Sequence, residues 1–120
     1  MNREATVRTY LAAMAKGDLP GVLACFAPEG LVSSPVYGGV PVADFYNRLF
    51  GDTARASVDI RSIFHTNDGQ RIAALFAYQW ELRNGTRTAC DLVDIFDFAA
   101  DSGLIAHLQI IFDTGRIGKA

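Results

Sequence analysis

Cysteine, histidine and net charge are all scarce in this chain, and each scarcity closes off a class of function. The two cysteines, Cys25 and Cys90, lie far apart in apolar segments with no Cys-x-x-Cys spacing. Neither a disulfide framework nor a thiolate metal site is expected, and both are expected to be buried thiols. His65 and His107 share no ligand spacing with each other or with a cysteine, so no metal is expected. Eleven Lys and Arg against 13 Asp and Glu give a formal net charge of −2, which supplies no basic footprint for nucleic acid. The longest apolar run, Ile72 to Tyr78, is far too short to cross a membrane. The charged start, Met1-Asn2-Arg3-Glu4, lacks the apolar core of a signal peptide, so a cytoplasmic protein is expected. No cofactor is expected either.

What remains is apolar: half of the 120 residues are hydrophobic, enough for one domain with a core of its own. Val7, Tyr10, Leu11 and Met14 recur at helical spacing within residues 3–16, and Gly17 is placed to end that helix. Asp18 and Pro20 start a second helix with Leu19, Val22, Leu23 and Phe26 facing inward, stopped by Pro28 and Gly30. A short strand, residues 31–34, and a loop at Tyr37-Gly38-Gly39 lead to a third helix from Pro41, with Val42, Phe45, Tyr46, Leu49 and Phe50 on one face and Gly51 at its end. From Ala56 the period changes to two, and four strands follow as an antiparallel meander. In the first, Val58, Ile60, Ser62 and Phe64 alternate with Asp59, Arg61 and Ile63; in the next, Phe76, Tyr78, Trp80 and Leu82 share a face and read as core or interface. The domain is expected to span residues 1–113, with 114–120 as a loose tail. Several strands carry large apolar groups on both faces, so a homodimer through the sheet is expected.

Asn84-Gly85 between two β-prone runs predicts a hairpin with a two-residue type I′ turn. On the strand that follows, Cys90, Leu92, Asp94, Phe96 and Phe98 fall on one face, and Asp91, Val93, Ile95 and Asp97 on the other. Asp94 therefore stands alone in an apolar row. An inward charge that discourages edge pairing is one reading. The other is a buried carboxyl kept protonated and used as a hydrogen-bond donor.

The order of elements resembles the SnoaL-like (NTF2-like) superfamily over about residues 5–113, the ketosteroid isomerases most of all. Tyr10 precedes Gly17-Asp18 at the family's interval, Phe45-Tyr46 fall on its third-helix aromatic pair, and Asn84-Gly85 matches its hairpin. Asp91-x-x-Asp94 matches its Asp-x-x-Asp, whose second acid is the family's protonated aspartate. The resemblance implies an α+β, cone-shaped fold: three helices packed on a curved antiparallel sheet around a pocket. It also implies that Tyr10 and Asp94 donate two hydrogen bonds to an enolate oxygen, with Tyr46 orienting Tyr10. Leu92, Phe96, Leu108 and Phe112 are candidates for an apolar wall that keeps Asp94 neutral.

The departure is at Ser34-Pro35, where the isomerases carry Asp-Pro and the aspartate shuttles the proton. A serine hydroxyl is too weak a base for that role, and His107, Asp52 and Glu81 are the alternative bases to look for. General-base catalysis is worth ~10²–10⁴ in rate, so its loss would leave an oxyanion site with poor turnover. The limonene epoxide hydrolases of the same superfamily use an Asp-Arg-Asp set, which Leu92 in the arginine's place disfavours. Three functions follow as expectations. One is an isomerase or cyclase acting on a small, mostly apolar carbonyl compound. The others are a non-catalytic pocket for such a ligand and a protein-interaction module.

Overall fold

The computed structural model describes residues 2–35 and 38–112. Three helices, α1 (Arg3–Lys16), α2 (Leu19–Leu23) and α3 (Val42–Asp52), cover a six-stranded sheet. Its strands are β1 (Phe26–Ser34), β2 (Gly38–Pro41), β3 (Thr53–His65), β4 (Arg71–Leu82), β5 (Arg87–Phe98) and β6 (Ile105–Ile111). They lie in the order β2-β1-β6-β5-β4-β3, and the sheet is not closed.

The first helix is bounded as its sequence predicts. The Asn2 side chain accepts from the Ala5 amide at 2.7 Å, and Gly17, at φ 70°, turns the chain out while Asp18 N–H reaches back to the Ala13 carbonyl. Val7, Tyr10, Leu11 and Met14 are all buried on its sheet side. The third helix buries Val42, Phe45, Tyr46 and Leu49. It meets the strands through a two-step bond: Trp80 Nε1 donates to Thr53 Oγ1 at 2.8 Å, and that hydroxyl donates to the Leu49 carbonyl at 2.6 Å.

Several details depart from the sequence reading. The second helix stops at Leu23, and Phe26 belongs to β1, where Pro28 favours extended geometry at Ala27, the residue before it. β1 runs through Pro28 and Gly30 by a register shift against β6 between Phe26 and Leu31. A Cβ at Gly30 would stand 3.0 Å from the Ala27 carbonyl and the Phe26 ring, so a larger residue there would make its neighbours shift. β1 and β2 add to the meander, and β1 runs parallel to β6, so the sheet is mixed rather than antiparallel. On β3 a shift between Ile60 and Ser62 reverses the faces: Ile63 packs on the core and Phe64 is 56% exposed.

The hairpin at Asn84-Gly85 has a three-residue loop. Leu82 N–H bonds to the Thr86 carbonyl and Gly85 N–H to the Leu82 carbonyl, and Gly85 alone takes positive φ, at 94°. This is a type I turn closed by a left-handed glycine, and it leaves the predicted faces of β5 intact. Cys90, Leu92, Asp94 and Phe96 are all buried. The expected tail, 114–120, lies outside the described residues.

Candidate functional site

A cavity of about 50 Å³ opens between the inner face of the sheet and helices α1 and α3. Tyr10, Ser34, Tyr46, Leu92, Asp94 and Phe112 line it. Phe96 and Leu108 are fully buried and do not line it; the Phe96 ring instead packs edge-on against Tyr10, with centroids 5.6 Å apart.

The polar end is built by two helices and one strand. Tyr10 comes from the middle of α1 and Tyr46 from α3, and their hydroxyls are hydrogen-bonded to each other. The Phe26 ring stands edge-on to Tyr10, at 5.7 Å between centroids, and Phe45 edge-on to Tyr46, at 4.7 Å, so neither phenol is free to turn away. Asp94 rises from β5 between its register partners, Ala74 on β4 and Ile110 on β6. It is 1% exposed, and its Oδ1 has no hydrogen-bond partner among the described residues.

Burial sets the charge state of all three groups. It pushes the Asp94 carboxyl well above the usual carboxylate range. It pushes Tyr10 well above the usual phenol range, and the neighbouring Tyr46 and Asp94 add to that rise. For Tyr46 burial is again the largest cause and Asp94 the next, while the hydrogen bond with Tyr10 pulls the other way. Such a set is composed of neutral donors. A buried polar atom without a partner costs about 1–3 kcal/mol, so the vacant Oδ1 is a standing demand for one.

Sequence reasoning missed Tyr78 and Cys90, register partners on β4 and β5 that both line the cavity. The signal was present: Tyr78 alternates with Phe76 and Trp80 on what proves to be the inner face. The three residues considered as replacement bases lie elsewhere. His107 is bonded to Ser33, Glu81 pairs with Arg55 and Arg87, and Asp52 ends α3; none lines the cavity. Among the described residues no histidine lines it, no cluster of metal-ligating side chains occurs, and no helix is long and apolar enough to cross a membrane.

The SnoaL-like domain model matches residues 7–108. The chain belongs to that family. No curated protein matches it in sequence. Among solved structures it is similar to an NTF2-like protein of unknown function from Burkholderia pseudomallei, with 25% identity, a TM-score of 0.83, and 100% and 99% of the two chains covered. It is also similar in fold to the Δ5-3-ketosteroid isomerase of a Mycobacterium species, at 22% identity, TM-score 0.80 and 98% of each chain. A third similar fold is a Mycobacterium tuberculosis protein in complex with estradiol-17β-hemisuccinate, at 16% identity, TM-score 0.81, covering 97% and 98%. The SnoaL-like match ends at Leu108, so it takes in every cavity residue named above except Phe112.

The raised pKa of Asp94 makes a prediction about stability. A carboxyl whose folded pKa lies above the ordinary 3.8 supports folding fully below that value and loses its support as pH climbs through the raised one. Asp94→Asn removes the titration. The stability of the variant relative to wild type, from urea unfolding at a series of pH values, should therefore grow with pH from about 4 upward. A difference that stays flat with pH means Asp94 titrates normally.

Proposed function

We propose that this SnoaL-like chain binds a small, mostly apolar carbonyl or phenolic molecule in the cavity and holds its oxygen with Tyr10 and Asp94. The observation that carries this reading is the buried Oδ1 of Asp94, unpartnered among the described residues, in a cavity lined mostly by aromatic and aliphatic side chains. A protonated carboxyl and a phenol are two donors, and an oxygen acceptor on an apolar ligand satisfies both. The steroid ester bound by a protein of the same fold supports the choice of ligand class. At about 50 Å³ the cavity is smaller than the ~150 Å³ that accepts a benzene ring, so a ligand enters by parting the side chains around it.

Turnover is the second reading. Enolisation needs a base beside the α-carbon, and the position that faces the cavity from the end of β1 is held by Ser34. The oxyanion donors favour an isomerase or cyclase, whereas the serine favours binding without chemistry. The outer face of the sheet, with Leu75, Val93 and Ile95 half-buried and Ile111 43% exposed, supports pairing of two copies there.

Titration with equilenin or a naphthol, followed by absorbance, should show saturable binding to wild type. Binding should be about tenfold or more weaker for Asp94→Asn, the equivalent of one hydrogen bond to a developing charge. Absence of binding to the folded wild type rules out the oxyanion site. Ser34→Asp should create isomerase activity on a β,γ-unsaturated ketone, or raise it by about 10²–10⁴. A folded variant with unchanged activity places the base position elsewhere. Sedimentation velocity should give twice the monomer mass for wild type and the monomer mass for Val93→Arg; a monomeric wild type removes the pairing.

A further inference from the structure

The opposite face of the sheet carries a second set of reactive groups that the cavity does not use. Ser33 Oγ on β1 lies 3.0 Å from His107 Nε2 on β6. The other ring nitrogen, Nδ1, lies 3.6 Å from Asp97 Oδ2 on β5. Asp97 is the direct register partner of both His107 and Arg71, and Arg71 clamps its two oxygens at 2.6 and 3.4 Å. With Nδ1–H turned to Asp97, Nε2 is the acceptor of the Ser33 proton. Three adjacent strands therefore place a hydroxyl, an imidazole and an anchored carboxylate in the sequence that nucleophilic catalysis requires.

We propose that Ser33, His107 and Asp97 form an esterase-type site for aryl esters of short carboxylic acids. The ring of His107 is part-exposed, and Gly39, the β2 register partner of Ser33, leaves the hydroxyl approachable: a Cβ there would stand 3.4 Å from Oγ. Gln109, the β6 partner of Ser33, is exposed on the same face and supplies an amide donor for the developing oxyanion. Leu31, 48% exposed and the register partner of His107, offers an apolar bed for the acyl chain.

The chemistry balances without a cofactor. His107 Nε2 takes the Ser33 proton as Oγ bonds to the ester carbon, and it returns that proton to the departing phenolate as the ester C–O bond breaks. Water then repeats the exchange on the acyl-serine, releasing the carboxylic acid and restoring Ser33 and neutral His107. Asp97, 3.6 Å from Nδ1, is a positioning residue whose negative charge favours the tautomer with the proton on Nδ1. The set lies toward the β3–β4 and β5–β6 turns, offset along the strands from Val93 and Leu75, and it stands independently of the cavity reading.

A fluorophosphonate probe and p-nitrophenyl acetate test the site on the intact chain. Mass spectrometry should map a phosphonyl adduct to Ser33 in the folded wild type, with no adduct after urea unfolding. Ser33→Ala should abolish the adduct and the ester hydrolysis, whereas the exposed-strand control Ser57→Ala should keep both. His107→Gln should slow labelling and hydrolysis about 10²-fold or more. Asp97→Asn should lower kcat with KM unchanged. Hydrolysis retained by Ser33→Ala, an adduct mapped to another residue, or a folded wild type that takes no label overturns the proposal. The position of the wild-type adduct decides the matter even where a variant fails to fold.

Discussion

A carboxyl group carried into an apolar wall must stay neutral or find a counter-charge, and among the described residues no cationic side chain lines the cavity around Asp94. The rest of the cavity follows from that constraint. Aromatic rings surround the acid, and the two phenols that approach it are buried donors whose own ionisation is suppressed. The geometry depends on helix phase: moving Tyr10 by one residue along α1 would rotate it by about 100° and turn it away from the sheet. The Asn2 cap and the Gly17 turn therefore fix the site as much as they fix the helix, because they set where α1 begins and ends over the strands.

The period of two along β5 gives the same residue type two chemistries. Asp94 faces inward and is neutral by burial. Asp91 and Asp97 face outward and meet Arg61 and Arg71. Exposed pairs of this kind are each worth only about 0–1 kcal/mol, so they add little to stability. Their placement is more informative than their energy: Arg71–Asp97 and Glu81–Arg87 are directly opposite pairs in the β4–β5 register. A slip by one residue would bury these charges and expose Phe76, Trp80, Leu92 and Phe96, which makes the register steeply specified.

Legibility in the sequence followed the length and regularity of each signal. α1, α3, β4 and β5 are long and strictly periodic, and their faces were readable residue by residue. Asp94 was conspicuous because it interrupted such a row. β1 was half hidden because Pro28 and Gly30, which usually end structure, here accommodate a bulge. Its parallel pairing with β6 joins residues more than seventy positions apart, which no local pattern encodes. The reversal at Ile60–Ser62 likewise depends on one unpaired residue in a strand of thirteen. At the site, Tyr10, Tyr46 and Asp94 were found through the family register, whereas Tyr78 was overlooked because an aromatic stripe on a strand reads first as core. The Ser33–His107–Asp97 set was invisible, since its members come from three strands whose adjacency is tertiary.

The serine at position 34 also bears on why Asp94 is neutral. Two carboxyls in one low-dielectric cavity raise each other's pKa, so in a site with an acid at both positions the neutrality of one depends in part on the charge of the other. Here the second acid is missing, and burial alone accounts for the rise at Asp94. Burial thus favours the protonated form of Asp94, the form that can donate. A ligand oxygen would meet donors already in their final charge state and, in Tyr10 and Tyr46, rings already wedged in place. Pre-organisation of that kind lowers the cost of holding an oxygen, and among the described residues no second acid lines the cavity.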